Sequence, residues 1–375
     1  MDSHFFSLYR PLFGSIVGMF TFDAALLMTA YAQLAAEEGI RSNTLEIGVH
    51  HGLSALVVAA LRAEGAQFVA IDLFEELQQE NVSHSGAGDR QRFLSNMARI
   101  HVDQASFMRV IAAPSSSLSP DELGRKYSLC HIDGGHSAEE TYGDLVLCSE
   151  ILVPGGVLVI DDYFNPGYPG VSEGAIRFMI ENRQVLSPMA IGFNKVIFQK
   201  GATSRLNEVL LKRFPRLQHT AAQLWGEPVF LFGSNFGASF DLDRSTPHEL
   251  VVRDKVSMQV KLNPQVPSIN GCPGEIVPLP ILVENESDIV LCFSNNPIGL
   301  SYHLMTRTGE MLAYDNARKY FYDPLGPGHQ GIFEVLVSCP ESAGRYQLEI
   351  DLVWEGICWF KQQGNTAPVV GLDVV

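Results

Sequence analysis

The chain has 375 residues, 46% of them apolar, which is material for more than one core, so two domains are the starting expectation. Its 26 basic and 42 acidic residues leave a formal charge of -16 with no Lys/Arg-rich run, which argues against a nucleic-acid partner. The six cysteines, at 130, 148, 272, 292, 339 and 358, form no CxxC and no metal-finger spacing, so they read as small buried thiols of a reduced, cytoplasmic protein.

From the N-terminus, PLFGSIVGMFTFDAALLMTAYAQLAA (residues 11–36) is the stretch that comes nearest to a membrane span. Asp23 near its middle would cost about 2.5–3.5 kcal/mol on insertion, and two glycines interrupt the run, so it reads as a buried loop and helix. The first nine residues carry no Lys or Arg, so no signal peptide is expected. FDAALLMTAYAQLAAEEG has alanine-rich helical periodicity and a stop at Gly39, the last part of a helical lead-in over 1–42.

Residues 43 to 200 alternate short apolar runs with helical patterns. Strands are predicted at NTLEIG (43–48), QFVAID (67–72), FMRVIA (107–112), YSLCHID (127–133), GVLVID (156–161) and NKVIFQ (194–199). ALVVAALRAEG, DRQRFLSNMARIH, AEETYGDLVLCSEIL and EGAIRFMIENRQ between them read as helices, the rhythm of a doubly wound, mostly parallel, Rossmann-like α/β sheet. The polar QENVSHSGAG (79–88) reads as a mobile loop. A helix in SRLNEVLLKRFPRL and a strand in PVFLFG, assigned to the sheet edge, complete a first domain at 1–245.

LEIGVHHGLSALVV runs from the first strand through glycines into a helix, a turn that lets the backbone approach a ligand. About twenty residues after Gly52 the next strand ends in Asp72, where such a sheet offers an acid to ribose hydroxyls. The pairing indicates a nucleoside-containing cofactor, while the spacing Glu46-x-Gly48-x-x-x-Gly52-x-Ser54 departs from the G-x-G-x-x-G that cradles a pyrophosphate. The chain here resembles class I S-adenosylmethionine-dependent methyltransferases. That resemblance implies that Glu46, Gly48, Gly52 and Ser54 line the cofactor's methionine end and that Asp72 holds its ribose. It also sets Ser115 and Ser116, in PSSSL after the third strand, at the adenine end, with an ordinary serine-rich turn as the alternative.

Asp133 ends the fourth strand and Asp161 and Asp162 end the fifth. If those strands are parallel neighbours, about 4.8 Å apart, the carboxylates converge in the crevice where open α/β sheets bind ligands. Unpaired carboxylates at that range repel, so something positive belongs between them, and a hard divalent cation, Mg²⁺ first, suits oxygen ligands. His136 faces the same crevice if the chain turns through Gly134 and Gly135, and it is assigned as the general base for a hydroxyl attacking the methyl. The alternatives are an N-cap role for Asp133 or Ser137, a ligand or surface role for His136, and a plain turn for Asp161-Asp162. Asp144 is placed on the polar side of its helix as a structural residue.

The pattern I-D-G-x-H-S with D-L downstream, then L-x-P-G-G-x-L-x-I-D-D-Y, resembles metal-dependent O-methyltransferases grouped with the macrocin-type and mycinamicin-type sugar enzymes. That resemblance, over roughly residues 15 to 235, implies Mg²⁺ held by Asp133, Asp161 and Asp162, with Asp133 also beside the cofactor. It implies His136 as base, where catechol enzymes carry Lys, and so favours a sugar-like alcohol over a catechol. Tyr163, Phe164, Asn165 and Tyr168 would stand near the acceptor mouth, Tyr163 and Asn165 being the substrate candidates, with packing of the next helix as the alternative.

From about 245 the texture changes to short β-branched and aromatic runs: VSMQVKL (256–262), IVPLPILVEN (276–285), GLSYHLMT (299–306), GIFEVLVS (331–338) and YQLEIDLV (346–353). Alternation in the last puts Tyr346, Leu348, Ile350 and Leu352 on one face of a half-buried strand, and a β-sandwich is expected over 250–375. YQLEIDLVWEGICWFKQQG resembles β-sandwich modules fused to bacterial carbohydrate-modifying enzymes, which leaves glycan binding through Trp354 or Trp359, oligomerisation or simple capping open. The expectation is an S-adenosylmethionine- and Mg²⁺-dependent O-methyltransferase acting on a small-molecule or glycan hydroxyl. A catechol-like enzyme and an inert scaffold retaining the fold are the alternatives.

Overall fold

The computed structural model describes residues 3–81, 85–201, 205–214, 217, 219–233, 236–241, 251–252, 256–293 and 297–375. Residues 82–84 of the predicted polar loop, and residues 204, 215 and 216 of SRLNEVLLKRFPRL, therefore lie outside the described residues. Internal contacts divide the chain into two units, Met1–Phe232 with Ser239–Val252, and Gly233–Ala238 with Arg253–Val375.

In the first unit the strands are β1 (Asn43–Ile47), β2 (Phe68–Asp72), β3 (Met108–Ala112), β4 (Tyr127–Ile132), β5 (Leu152–Asp161), β6 (Leu186–Gly192), β7 (Lys195–Lys200), β8 (Thr220–Leu224) and β9 (Glu227–Leu231). The helices are α1 (Ser3–Tyr9), α2 (Phe22–Glu37), α3 (Ala55–Ala60), α4 (Arg90–Ala98), α5 (Pro120–Leu123), α6 (Ala138–Ile151), α7 (Pro169–Glu181) and α8 (Leu206–Arg213). The strands form one sheet in the order β3-β2-β1-β4-β5-β7-β6-β9-β8. From β3 to β5 every pairing is parallel, while β7 runs antiparallel to β5 and β6. A Rossmann-like sheet thus reverses its winding between β1 and β4, and their carboxyl ends open a crevice.

Side-chain alternation divides the strands between the two faces. Leu45, Ile47, Cys130, Ile132, Leu158 and Ile160 share one apolar cluster with Leu145 and Cys148 of α6 and Phe178 of α7. The intervening positions, Glu46 and His131 among them, face the other way, where α2 packs on β4 and β5. Ser137 caps α6 and Glu140 returns the bond to the Ser137 N–H, a reciprocal pair of the kind that contributes about 1 kcal/mol. A Cβ on Gly174 would meet the Ala138 carbonyl at 2.4 Å, so this glycine lets α7 seat directly on α6.

Several elements differ from expectation. β6 reads poorly as a strand because Pro188 removes a ladder donor; the pairing with β7 shifts register between Pro188 and Ala190, which accommodates it. β8 was not anticipated and forms the sheet edge, with the expected edge strand β9 one place inside. The expected buried loop before α2 instead exposes Val17 and Met19. Among the described residues no helix is long and apolar enough to cross a membrane. Cys130, Cys148 and Cys339 are buried thiols, whereas Cys272 is exposed.

The second unit has one sheet of three strands, Val260–Pro264, Ile276–Asn285 and Gln330–Ser338, and a second built on Ile298–Thr306, Gly344–Trp354 and Val369–Val374. Leu279, Ile281 and Val335 of the first sheet share a core with Leu300, Leu348, Ile350 and Leu352 of the second. Leu348, Ile350 and Leu352 are buried as alternation demands, but Asp351 and Val353 are buried too, so this strand is covered on both faces at its end. Trp354 belongs to the core, which closes the sugar-stacking alternative to it. Trp359 is half-buried beside Tyr314, with ring centroids 5.4 Å apart.

Candidate active site

The loop after β1 and the loop after β4 cross at the switch point. Gly48 has φ +83°, and a Cβ there would fall 1.8 Å from the Asp133 carbonyl oxygen, so glycine is obligatory on both counts. The Asp133 N–H donates to the Ile47 carbonyl at 2.8 Å, tying the two loops together. Gly52, at φ +93°, turns against Phe93 of α4. Asp72 accepts from the His50 N–H at 2.8 Å and the Phe74 N–H at 2.7 Å; burial still leaves its carboxyl above the ordinary range despite these bonds.

Above the crossing lies a cavity of about 540 Å³, a size suited to a cofactor or small ligand. Of the residues the sequence assigns to a cofactor, Gly48, Ser54, Asp72, Ser115, Ser116 and Asp133 line it. Glu46 and Gly52 do not: Glu46 is fully buried on the α2 face of the sheet, 2.8 Å from His131 Nδ1, and Gly52 packs against α4. Asp144 also lines the cavity, buried rather than on a polar helix face. Burial drives its carboxyl up to about 7 even though Ser115 hydrogen-bonds to it.

The acidic residues do come together. β4 and β5 are parallel neighbours, so Asp133 and the Asp161-Asp162 pair end adjacent strands. The turn joining β6 to β7 supplies what the sequence reading lacked. Phe193 and Asn194 both have positive φ, 54° and 67°, as a tight hairpin turn requires. The Asn194 amide donates to Asp161 Oδ1 at 3.0 Å and to Asp162 Oδ1, and the next residue, Lys195, places its buried ammonium on Asp161 Oδ2. Asp162 has φ 58°, and its N–H donates to the Asn194 carbonyl at 3.0 Å.

His136 stands at the edge of this cluster, with Nε2 3.0 Å from Asp162 Oδ2 and Nδ1 2.9 Å from Ser85 Oγ. Its ring lies 3.9 Å from that of Tyr168, at the start of α7. Burial raises the Asp162 carboxyl, but His136, Asn165 and Asn194 outweigh it and bring it down to about 2. Asp133 differs: burial first and then Asp161 push its carboxyl well above the usual range, and no hydrogen bond reaches it from the described residues. One ligand atom each from His131, Asp133 and Asp161, and likewise from Asp133, His136 and Asp162, lie within 4.8 Å of one another. An under-satisfied carboxylate beside two others is a donor set that fits a divalent cation.

Asn165 and Tyr168 line the cavity, but Tyr163 does not. The chain reverses at the left-handed Asp162, and Tyr163 is buried in the apolar cluster with its hydroxyl 3.3 Å from Trp225 Nε1. That placement removes Tyr163 from the acceptor mouth, and Phe164 is exposed outside the cavity. His131, Asn194, Lys195 and Ser85 were not anticipated. A lysine beginning a strand carries a usable signal only once that strand is known to pair antiparallel with the acidic one, as Lys195 does with Asp161.

Residues 45–163 match a family model described as a methyltransferase domain. None of the curated proteins matches the chain. Similar solved structures include the O-methyltransferase NovP, at 13% identity over 48% of this chain and 80% of that one with a TM-score of 0.40. CalS11, a TDP-rhamnose 3'-O-methyltransferase of calicheamicin biosynthesis, is 17% identical over 47% of this chain and 78% of its own, TM-score 0.36. An O-methyltransferase from Bacillus cereus in complex with SAH is 17% identical over 52% and 90%, TM-score 0.37.

Proposed function

With residues 45–163 forming a methyltransferase domain of Rossmann-like fold, we propose that the protein is an S-adenosylmethionine- and Mg²⁺-dependent O-methyltransferase whose acceptor is a hydroxyl of a sugar or glycosylated metabolite. One observation carries the proposal: a single cavity is lined both by Ser54 and Asp72 from the cofactor side and by Asp133, His136, Asp161 and Asp162 from the chemical side.

S-Adenosylmethionine supplies an electrophilic methyl, and a divalent cation held by Asp133, Asp161 and Asp162 supplies positive charge that acidifies a hydroxyl. Gly48, Ser54 and Asp72 hold the methionine and ribose ends, Ser115 and Ser116 the adenine end. His136 takes the proton. Asp162 accepts from Nε2, the tautomer that leaves a lone pair on Nδ1, where Ser85 now donates its hydroxyl; the Ser85 Oγ–H marks the position an acceptor hydroxyl would take. Glu139 and Asn165, beside His136 on the cavity wall, offer polar partners to the remaining hydroxyls of a sugar.

Calorimetric titration with S-adenosylmethionine, with and without Mg²⁺, tests the assignment. Binding that Mg²⁺ and an acceptor alcohol strengthen is expected; absence of cofactor binding would sink it.

A further inference from the structure

We infer that His131, oriented by Glu46, contributes a nitrogen ligand to the cation of the acidic cluster, so that the site takes a first-row divalent transition ion, Mn²⁺ included, in preference to Mg²⁺. The inference rests on the cation-dependent reading above and narrows it.

Register pairs Glu46 of β1 directly with His131 of β4, and both side chains are fully buried. Nδ1 of His131 lies 2.8 Å from Glu46 Oε1. A carboxylate only accepts, so Nδ1 carries the proton and the lone pair sits on Nε2. That Nε2 is buried and has no hydrogen-bond partner among the described residues. Leaving a buried acceptor unmatched costs on the order of 1–3 kcal/mol, a penalty that a ligand at this nitrogen would remove.

The strand's period of two puts His131 on the same face as Asp133. A ring nitrogen of His131 and one oxygen each of Asp133 and Asp161 lie within 4.8 Å of one another. A histidine that gives one ring N–H to a carboxylate and directs the other nitrogen inward is the arrangement that orients metal-ligating imidazoles. The second histidine of the cluster is placed differently: Asp162 and Ser85 engage both nitrogens of His136, which suits a base and leaves the ligand role to His131. The Asn194 amide and the Asp162 N–H take Asp161 Oδ1 and Lys195 takes one position on Oδ2, so of the about four lone-pair sites of an ionised carboxylate one, on Oδ2, is left for a cation. Mg²⁺ selects oxygen donors, whereas imidazole raises affinity for first-row transition ions.

The test is pulsed electron paramagnetic resonance of the full-length protein titrated with Mn²⁺. Bound Mn²⁺ is expected to show ¹⁴N coupling that persists in His136→Gln and disappears in His131→Gln. His131→Gln should weaken Mn²⁺ at least about tenfold, no less than losing the carboxylate that orients it, while Mg²⁺ affinity moves less than about threefold. Should His131→Gln fail to fold, Glu46→Gln keeps the shape of the pair and is expected to lower Mn²⁺ affinity about tenfold with S-adenosylmethionine binding retained. Bound Mn²⁺ without nitrogen coupling, coupling that survives in His131→Gln, coupling lost in His136→Gln, unchanged affinity in Glu46→Gln, or no Mn²⁺ binding would each overturn the inference. Nitrogen coupling in a protein that binds no S-adenosylmethionine would leave it standing and defeat the methyltransferase reading instead.

Discussion

Replacing Asp144 with asparagine raises the stability of the first unit at neutral and alkaline pH and does so less at acid pH. The side chain is 2% exposed, and one of its oxygens has no hydrogen-bond partner among the described residues. Burial lifts its carboxyl from an ordinary 3.8 to about 7. A carboxyl raised on folding leaves stability intact below its unfolded value and takes it away as pH climbs through the folded one, because the unfolded chain ionises first. At 1.36 kcal/mol per pH unit the cost is about 1–2 kcal/mol at pH 5 and about 4 kcal/mol at pH 8. Asparagine imitates the protonated acid and keeps an acceptor for Ser115, so Asp144→Asn gains ~3 kcal/mol more at pH 8 than at pH 5. Urea denaturation followed by tryptophan fluorescence, with Trp225 reporting on this unit, measures the difference directly. A gain that does not change between the two pH values, or a loss at pH 8, would refute the reasoning.

Three further substitutions follow from the site. His136→Ala is expected to lower turnover about 10²–10⁴-fold with cofactor affinity unchanged, and unaltered turnover removes it from the mechanism. Asp72→Ala strips the acceptor from the His50 and Phe74 N–H groups and should weaken S-adenosylmethionine at least about tenfold by calorimetry, beside a lowered thermal transition; equal affinity would place the ribose elsewhere. Gly48→Ala forces a Cβ onto the Asp133 carbonyl at a positive φ and should cost more than about 4 kcal/mol, read as a lost or greatly lowered urea midpoint; a midpoint near wild type would show that the two loops can separate.

The parallel half of the sheet was legible because its strands are short apolar runs that end in acids, and Asp72, Asp133 and Asp161 do stand at those carboxyl ends. His136 could be placed as well, since Gly134 and Gly135 bring the chain back over the crevice before Ser137 starts α6. What pattern could not supply was the antiparallel return. Asn194 and Lys195 reach the acids only through the register of β7 on β5, a pairing between residues more than thirty positions apart. Asp144 was misjudged for a related reason: helical periodicity reports the side a residue faces, not whether another turn, here the one bearing Ser115, covers that side. Tyr163 was lost to a backbone fact, the left-handed φ of Asp162, which no side-chain pattern announces. His131, in the run YSLCHI, looked like one polar letter in a buried strand, and its meaning depends on Glu46 lying opposite.

The hairpin that joins β6 to β7 also orders events at the ribosome. All three carboxylates of the cluster are synthesised by residue 162, whereas the amide and ammonium that hold two of them arrive only at 194 and 195. Synthesis at about 5–20 residues per second makes that interval last seconds, during which the emerging strands carry acids that repel one another at the point where they must converge. Closing the hairpin relieves the repulsion, so the chemical centre is completed only once β7 has left the exit tunnel, before the edge strands β8 and β9 are added to the sheet.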